Sequence, residues 1–431
     1  MLRAFNGYIL FPILEKLSKR DIRSKTSELR NFDHLTQSSQ NEVQKKELYK
    51  VLNFASSNCP YYKDLFHSHN FIPNKILKDI RYLQDLPLLT KEIIKEQTDR
   101  IKTTHAFHPR KTGGSTGQSV MFYYDERGLD WTSAINTLAL EYADKKPFHK
   151  DMHISSELGI TPPTLKAKFL DSLKLFSQNR KRLMIESFND DELNKLNKSL
   201  SKYRPYLLQG HPSSAYAISS YVEKNNLPKK QLFKIFEPSG EMLTSKIVKS
   251  IEENLGAKVV NRYGNAEFGV VAHSRKQDSY NKLKVFNRAF YVEETNKSDL
   301  IVTNLTNYGM PLIKYNTGDI ATVKNENDGT FIYDIQGRVH NNVEINGKKY
   351  ATHFIMDFLD HKVKGVREFQ VVKSEHDVSL FIVPENEDDK DRIRTMVSSK
   401  WPTGLNVDFI KYNQLKKVGW RQKFQHLIEL N

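Results

Sequence analysis

Residues 232–267 read "LFKIFEPSGEMLTSKIVKSIEENLGAKVVNRYGNAE". "LFKIFEP" has the character of a buried strand and runs into a turn at "PSGE". "SKIVKSIEENLG" is a helix stopped by Gly256, and "AKVVNRYGNAE" is again a strand followed by a turn. This alternation predicts an α/β fold on a parallel or mixed sheet. In such a fold the turns after the strands line up at the carboxyl edge, where ligands bind.

The flanks extend the pattern. "DELNKLNKSLSKYRP" (191–205) reads as a helix, "YLLQGHPSS" (206–214) as a short strand and turn, and "AYAISSYVEKNN" (215–226) as another helix. Three turns, "GHPSS", "PSGE" and "YGNAE", are thus rich in glycine and polar groups. From 299 the text becomes strands and hairpins: "DLIVTNL", "PLIKYNTGDIATV" and "NENDGTFIYDIQGR". After Gly337-Arg338 a compact tail alternates "EFQVVKS", "VSLFIV" and "NVDFIKY" with helical "ATHFIMDFLDHK" and "DDKDRIRTMVSSK". The expected organisation is a large domain over 1–337 and a small α+β domain over 338–431.

Further upstream, residues 111–119 read "KTGGSTGQS", with three glycines, two threonines and two serines in nine positions. Bare backbone and hydroxyls suit a phosphate oxygen, whereas a flexible linker is the plain alternative. Both flanks, "HAFHPRK" and "VMFYYD", are strand-like, so the loop joins strand to strand. It matches neither nucleotide-binding loop that delivers phosphate to a helix end. In "LPLLTKE" (86–92), Thr90 is the expected N-cap of a helix.

Composition excludes some classes. The 431 residues are 38% hydrophobic and 27% charged, as in an ordinary globular protein, with a net charge of +15 that favours anionic partners. No Lys/Arg block reaches five residues, so no dedicated nucleic-acid surface is expected. Cys59 is the lone cysteine, which rules out an intrachain disulfide or a cysteine-cluster zinc site and suits a reducing cytoplasm. The opening "MLRAFNGYILFPILEKLSKR" has a short, proline-interrupted apolar core and no small-residue cleavage site. It reads as packing against the body of the protein, the alternative being peripheral contact with the inner face of a membrane.

Five motifs stand in order: "TGGSTGQ" (112–118), "PSGE" (238–241), "YGNAE" (263–267), "YNTGD" (315–319) and "GR" (337–338), followed by a lysine-bearing tail. This series resembles the adenylate-forming superfamily of acyl-CoA synthetases. Within it the chain is similar to the phenylacetate-CoA ligase branch and its CapK-like proteins of capsular polysaccharide biosynthesis, whose accessory motifs look like "CPYYKDLF", "LPLLTKE" and "GHPSSAYAISSYVE".

The resemblance implies a large N-terminal AMP-binding domain and a small mobile C-terminal lid. It implies ATP-dependent activation of a small carboxylic acid as an acyl-adenylate. The acyl group then passes to coenzyme A or to a nucleotide-sugar or glycan acceptor. Carried onto this chain, Thr112, Gly113, Gly114, Ser115, Thr116 and Gly117 face the β- and γ-phosphates of ATP. Tyr263 and Gly264 border the adenine of ATP or AMP, and Ser239, Gly240 and Glu241 pack its other face. Glu267 is the Mg²⁺ ligand, a carboxylate being what a hard cation on phosphates requires. Asp319 accepts the ribose hydroxyls, and Arg338 adds positive charge beside ribose and phosphate. The tail lysine is Lys423, in "QKFQHLI", with Lys416 and Lys417 as alternatives.

Some positions depart from the pattern. Trp420 follows Gly419 where a lysine is usual, Ala266 replaces a hydroxyl residue, and "RVHNN" lacks the usual acidic hinge residue. These departures leave a second reading, a nucleotide-binding scaffold of a polysaccharide assembly system that has lost the reaction. Structural roles also remain open for His211 and His273, and a surface role for Glu241.

Overall fold

The computed structural model describes residues 2–431 except 112–119, 157–163, 186–187, 337–341, 352–354, 356–357, 360–361, 375–376, 412–413, 419–422, 425–426 and 430–431. The first third is mainly helical. Helix Gln37–Asn58 places Leu48, Val51, Leu52 and Ala55 on one face, all fully buried. Thr90 caps helix Lys91–Ile101 as predicted, its hydroxyl accepting the Ile93 N–H at 3.4 Å. Strands β1 (His108–Lys111) and β2 (Met121–Tyr124) pair antiparallel, so residues 112–119 join strand to strand.

A parallel sheet follows. It comprises β3 (Asp151–Ser156), β4 (Arg180–Ile185), β5 (Leu207–Gly210), β6 (Ile235–Pro238) and β7 (Lys258–Val259), in the order β4-β3-β5-β6-β7. Helices Leu165–Ser177, Asp190–Tyr203, Pro212–Lys224 and Ser245–Leu255 make the crossovers. The order reverses at β3, and ligands in sheets of this kind bind outside the carboxyl ends of the strands beside that reversal. The turns "GHPSS" and "PSGE" occupy that edge, after β5 and β6.

"YGNAE" does not. After β7 the chain leaves the parallel sheet. Tyr263 and Gly264 lie inside β8 (Arg262–Asn265), and the turn is Ala266–Phe268. Strand β8 is one edge of a seven-stranded antiparallel sheet. The other strands are β9 (Gly269–His273), β10 (Leu283–Val285), β11 (Phe290–Glu294), β12 (Asp299–Asn304), β13 (Tyr315–Glu326) and β14 (Gly329–Gln336), in the order β11-β12-β13-β14-β10-β9-β8. The strands and hairpins that follow the parallel sheet therefore begin at 262 rather than at 299. Leucine and β-branched spacing alone cannot reveal which sheet a short strand joins.

The two sheets meet over a buried ion pair. Glu237 of β6 is 1% exposed. Its carboxylate lies 3.2 Å from His273 Nε2 and 3.7 Å from Arg262 Nη1, and it accepts a hydrogen bond from Gln209 Nε2 at 2.9 Å. Burial alone would raise this carboxyl, but Arg262 and His273 outweigh it and bring it down to about 2.

The tail folds as an α+β unit. Strands β15 (Asn342–Ile345) and β16 (Lys348–Ala351) form a hairpin. Strands β17 (Val366–Lys373), β18 (Val378–Pro384), β19 (Asn406–Phe409) and β22 (Leu427–Glu429) form a sheet in the order β19-β18-β17-β22. Between β19 and β22, β20 (Lys417–Val418) pairs with β21 (Lys423–Phe424). Helix Asp389–Lys400 buries Ile393 and Val397 against the same core. The helix predicted over 351–362 falls largely outside the described residues, and Ala351 closes β16. The expected boundary at 337/338 also lies outside them.

The N-terminal stretch is helical from Leu2 to Leu17. It packs against the body through the Asn6 side chain, which donates to the Phe176 carbonyl, and through the Tyr8 ring, 6.3 Å from that of Phe148 between centroids. Asn6 is buried, while Leu2, Phe5, Ile9, Ile13 and Leu17 are exposed.

Candidate active site

Glu267 sits in the tight turn between β8 and β9. Asn265 shapes that turn by accepting the Phe268 N–H at 3.0 Å. Gly264 is required by the hairpin itself, since a Cβ there would stand 2.3 Å from the Gly269 carbonyl oxygen. The Glu267 backbone carbonyl accepts the Tyr124 hydroxyl at 2.7 Å, and its side-chain Oε1 accepts the Tyr315 hydroxyl at 3.1 Å. The residue is 6% exposed. Burial pushes its carboxyl above the ordinary range; the Lys91 ammonium and the Tyr315 hydroxyl pull it down, and Asp319 pushes it up.

Asp319 arrives from across the sheet. Three strands separate β8 from β13, yet the sheet curls far enough for the Tyr263 hydroxyl to donate to Asp319 Oδ2 at 2.8 Å. Phe268 and Tyr315 close the same gap with ring centroids 5.7 Å apart. Asp319 follows Gly318, whose φ is +76°, at a register shift between β12 and β13. Such a bulge re-aims a side chain out of the ladder. The hydroxyl of Thr317 steadies it by accepting the Asp319 N–H at 3.2 Å. Burial, then the Asp319 charge, raises the Tyr263 hydroxyl well above its usual range, so it stays a donor.

A segment distant in sequence completes this neighbourhood. Leu89 bridges to Tyr315: the Leu89 N–H donates to the Lys314 carbonyl at 3.0 Å, and the Asn316 N–H donates to the Leu89 carbonyl at 2.9 Å. That anchor sets Lys91, at the start of its helix, within electrostatic reach of Glu267. Sequence reasoning missed Lys91. "LPLLTKE" marked the helix cap, and nothing in that text signals a charge partner downstream of 260.

Ser239, Gly240 and Glu241 belong to a separate neighbourhood after β6. The Ser239 N–H donates to the Gly210 carbonyl at 3.0 Å. Gly240 has φ +76°, and a Cβ there would lie 2.8 Å from the His211 ring, so both conformation and space demand glycine. Glu241 accepts the Ser213 N–H and the Ser213 hydroxyl, each at 2.9 Å, and stands 3.8 Å from His211 Nδ1. It therefore caps the first turn of helix Pro212–Lys224. His273 is hydrogen-bonded through Nε2 to Glu237 at 3.2 Å.

Thr112, Gly113, Gly114, Ser115, Thr116, Gly117 and Arg338 lie outside the described residues. Lys423 and Lys417 occupy the same two-rung ladder, Lys423 opposite Val418 and Lys417 opposite Phe424. Lys416 is tied through its backbone to the Gln370 side chain at 2.9 and 3.0 Å.

The described site thus offers a buried carboxylate near a lysine and, close by, a second carboxylate oriented by a tyrosine. Among the described residues no group of three His, Cys, Asp or Glu gathers as a metal cluster. A cation at Glu267 would take its remaining oxygens from water or a bound phosphate, which is how magnesium is commonly held. That donor set fits magnesium carried on a nucleotide.

Comparison with known proteins agrees with this architecture. No family model matches the chain. It is 25% identical over 387 residues to Protein CapK of Staphylococcus aureus, a match spanning 85% of this chain and 84% of CapK. In fold it is similar to 2-hydroxyisobutyryl-CoA ligase in complex with 2-HIB-AMP and CoA in the thioesterification state. That similarity has a TM-score of 0.59 at 18% identity, covering 92% of this chain and 90% of the ligase. The same ligase in the postadenylation state with 2-HIB-AMP gives 0.56 at 17% identity, covering 92% and 91%. The chain resembles CapK in sequence along most of its length and shares the fold of 2-hydroxyisobutyryl-CoA ligase.

Proposed function

We propose that the protein is an adenylate-forming ligase that activates a small carboxylic acid with ATP. The observation that carries this reading is the arrangement around the antiparallel sheet, with Glu267 buried near Lys91 and Asp319 oriented by Tyr263. A carboxylate oxygen of the acid attacks the α-phosphorus of ATP. The bond to the bridging oxygen breaks, and pyrophosphate leaves with the electron pair. Negative charge builds on the phosphoryl oxygens, so fixed cations and donors lower the barrier.

In this reading Thr112 to Gly117 supply N–H and hydroxyl donors to the β- and γ-phosphates, and Glu267 holds magnesium. Magnesium, when bound, neutralises phosphate charge. Asp319 accepts the ribose hydroxyls, Tyr263 and Gly264 flank the adenine, and Ser239 to Glu241 close its other face. Arg338 and Lys423 come from the tail, a small domain over 338–431 hinged to one over 1–337, to neutralise the transition state. In a second half-reaction a nucleophile attacks the acyl carbonyl and AMP leaves. The acceptor is coenzyme A or a hydroxyl or amine of a sugar or glycan, in a cytoplasmic step of surface polysaccharide synthesis. Similarity in fold to a CoA ligase supports coenzyme A, and the sugar or glycan class rests on the resemblance of the motifs to the CapK-like branch.

The test is carboxylate-dependent exchange of labelled pyrophosphate into ATP over a panel of aryl, fatty, amino and hydroxy acids, followed by AMP release with and without coenzyme A. Exchange with at least one acid, abolished in Lys423→Ala, is the expected result. ATP binding without exchange for any acid would overturn it in favour of the nucleotide-binding scaffold.

A further inference from the structure

Of the eighteen large apolar side chains that stand exposed among the described residues, twelve fall in two stretches, 2–17 and 148–184. In the first, Leu2, Phe5, Ile9, Ile13 and Leu17 recur mostly every four residues. In a regular α-helix that interval drifts by about 40° per step. The π-helical turn Asn6–Leu10 takes up the drift and keeps the five side chains on one stripe. Pro12, with no N–H to give to the preceding turn, permits the widening. In the second, helix Leu165–Ser177 exposes Leu165 (84%), Phe169 (67%) and Phe176 (47%) along one side.

The two helices are bolted together by polar groups on their inner sides. The buried Asn6 donates from Nδ2 to the Phe176 carbonyl at 3.0 Å and to Asn179 Oδ1 at 3.2 Å. Asn179 Nδ2 donates in turn to the carbonyls of Arg3 and Pro147, both at 2.9 Å. Gly7 packs so closely on Pro147 that a Cβ would lie 2.6 Å from its carbonyl oxygen. This clamp fixes the apolar sides outward. It joins two segments far apart in sequence into one surface.

The charges around that surface have one sign. Arg3, Lys16, Lys19, Lys166, Lys168 and Lys174 are exposed. The two helices carry only two carboxylates, and neither is exposed: Glu15 is buried and accepts the Arg23 N–H at 2.7 Å, and Asp171 faces Arg182 at 3.1 Å. We infer that this face is a docking surface for the anionic leaflet of a membrane. The apolar stripes enter the acyl boundary and the lysines meet lipid phosphates. A symmetric contact with a second copy would set like charges against each other, and lysine is depleted where proteins bury one another.

Vesicle co-sedimentation tests this independently of the proposed reaction. The full chain is expected to pellet with phosphatidylglycerol–phosphatidylcholine vesicles and to bind phosphatidylcholine alone roughly tenfold more weakly. Ile9→Glu/Phe169→Glu is expected to stay in the supernatant with an unchanged circular dichroism spectrum. A lysine-only variant, Lys166→Gln/Lys168→Gln, is expected to lose the preference for anionic lipid. No pelleting of the parent chain with anionic vesicles would overturn the inference. So would a dimer in solution that the Ile9→Glu/Phe169→Glu change converts to monomer.

Discussion

Glu267 and Glu241 each close a motif containing a glycine, one in the antiparallel sheet and one beside the parallel sheet, and their surroundings differ. Glu241 meets a backbone N–H and a hydroxyl at the start of a helix, two donors that would be there whatever else bound nearby. The Glu267 side chain accepts the Tyr315 hydroxyl and has a lysine within electrostatic reach, and burial holds its carboxyl high. The first arrangement is that of a cap, and the second is the one to which the proposed reaction assigns a cation. Glu237, between the sheets, is a third case, a carboxylate paired with the Arg262 guanidinium and hydrogen-bonded to His273. Chemical type is the same in all three, and surroundings decide the role.

The sharpest way to break this comparison is Glu267→Ala, expected to lower ATP–pyrophosphate exchange by about 10²–10³-fold with an unchanged melting temperature. An equal loss of exchange in Glu241→Ala would erase the distinction. Next, Glu237→Gln is expected to cost about 3 kcal/mol in urea unfolding at neutral pH, because the partly buried Arg262 guanidinium loses its counter-charge. The sign with pH follows from the depressed carboxyl. Its stabilisation is complete above the ordinary value of 4.5 and is lost as pH falls towards about 2. Parent and variant should therefore converge in acid, and parallel curves would refute the ion pair's role.

Glu241→Ala should cost about 1 kcal/mol as a lost cap, read as a lower melting temperature with kcat nearly unaltered. The smallest effect belongs to Tyr263→Phe. Losing the bond to Asp319 is worth about 1 kcal/mol, or roughly a fivefold rise in the KM for ATP at constant kcat.

Much of the architecture was legible in the chain. Alternating strand and helix text around "PSGE" gave the parallel sheet, and the flanks of the glycine-rich loop gave the β1–β2 hairpin. Thr90 announced its helix through the hydroxyl three residues before an apolar run. Tyr263 and Gly264 read as a turn in the sequence because short, glycine-bearing strands carry little alternation. Their place in β8 depends on pairing with β9, a non-local fact. Glu267 and Asp319 came from an ordered set of motifs, whereas Lys91 belongs to the same neighbourhood only because Leu89 pairs with Tyr315. The exposed face shared by residues 2–17 and 165–177 was half visible. The amphipathic N-terminus could be read, and the buried Asn6 that fixes its direction could not.

The rung between Leu89 and Tyr315 has a consequence for the chain as it is made. Synthesis runs from the amino end, and domains generally fold as their residues emerge. Helix Lys91–Ile101 can form early, but the strand that receives Leu89 arrives only after the whole parallel sheet has left the ribosome. Until then Leu89, Phe122 and the other core residues that pack with the antiparallel sheet have no partner. A truncated product ending before residue 315 would keep its crossovers and lack Tyr315 and Asp319, the partners of Glu267 and Tyr263. Such a fragment would expose apolar surface to chaperones.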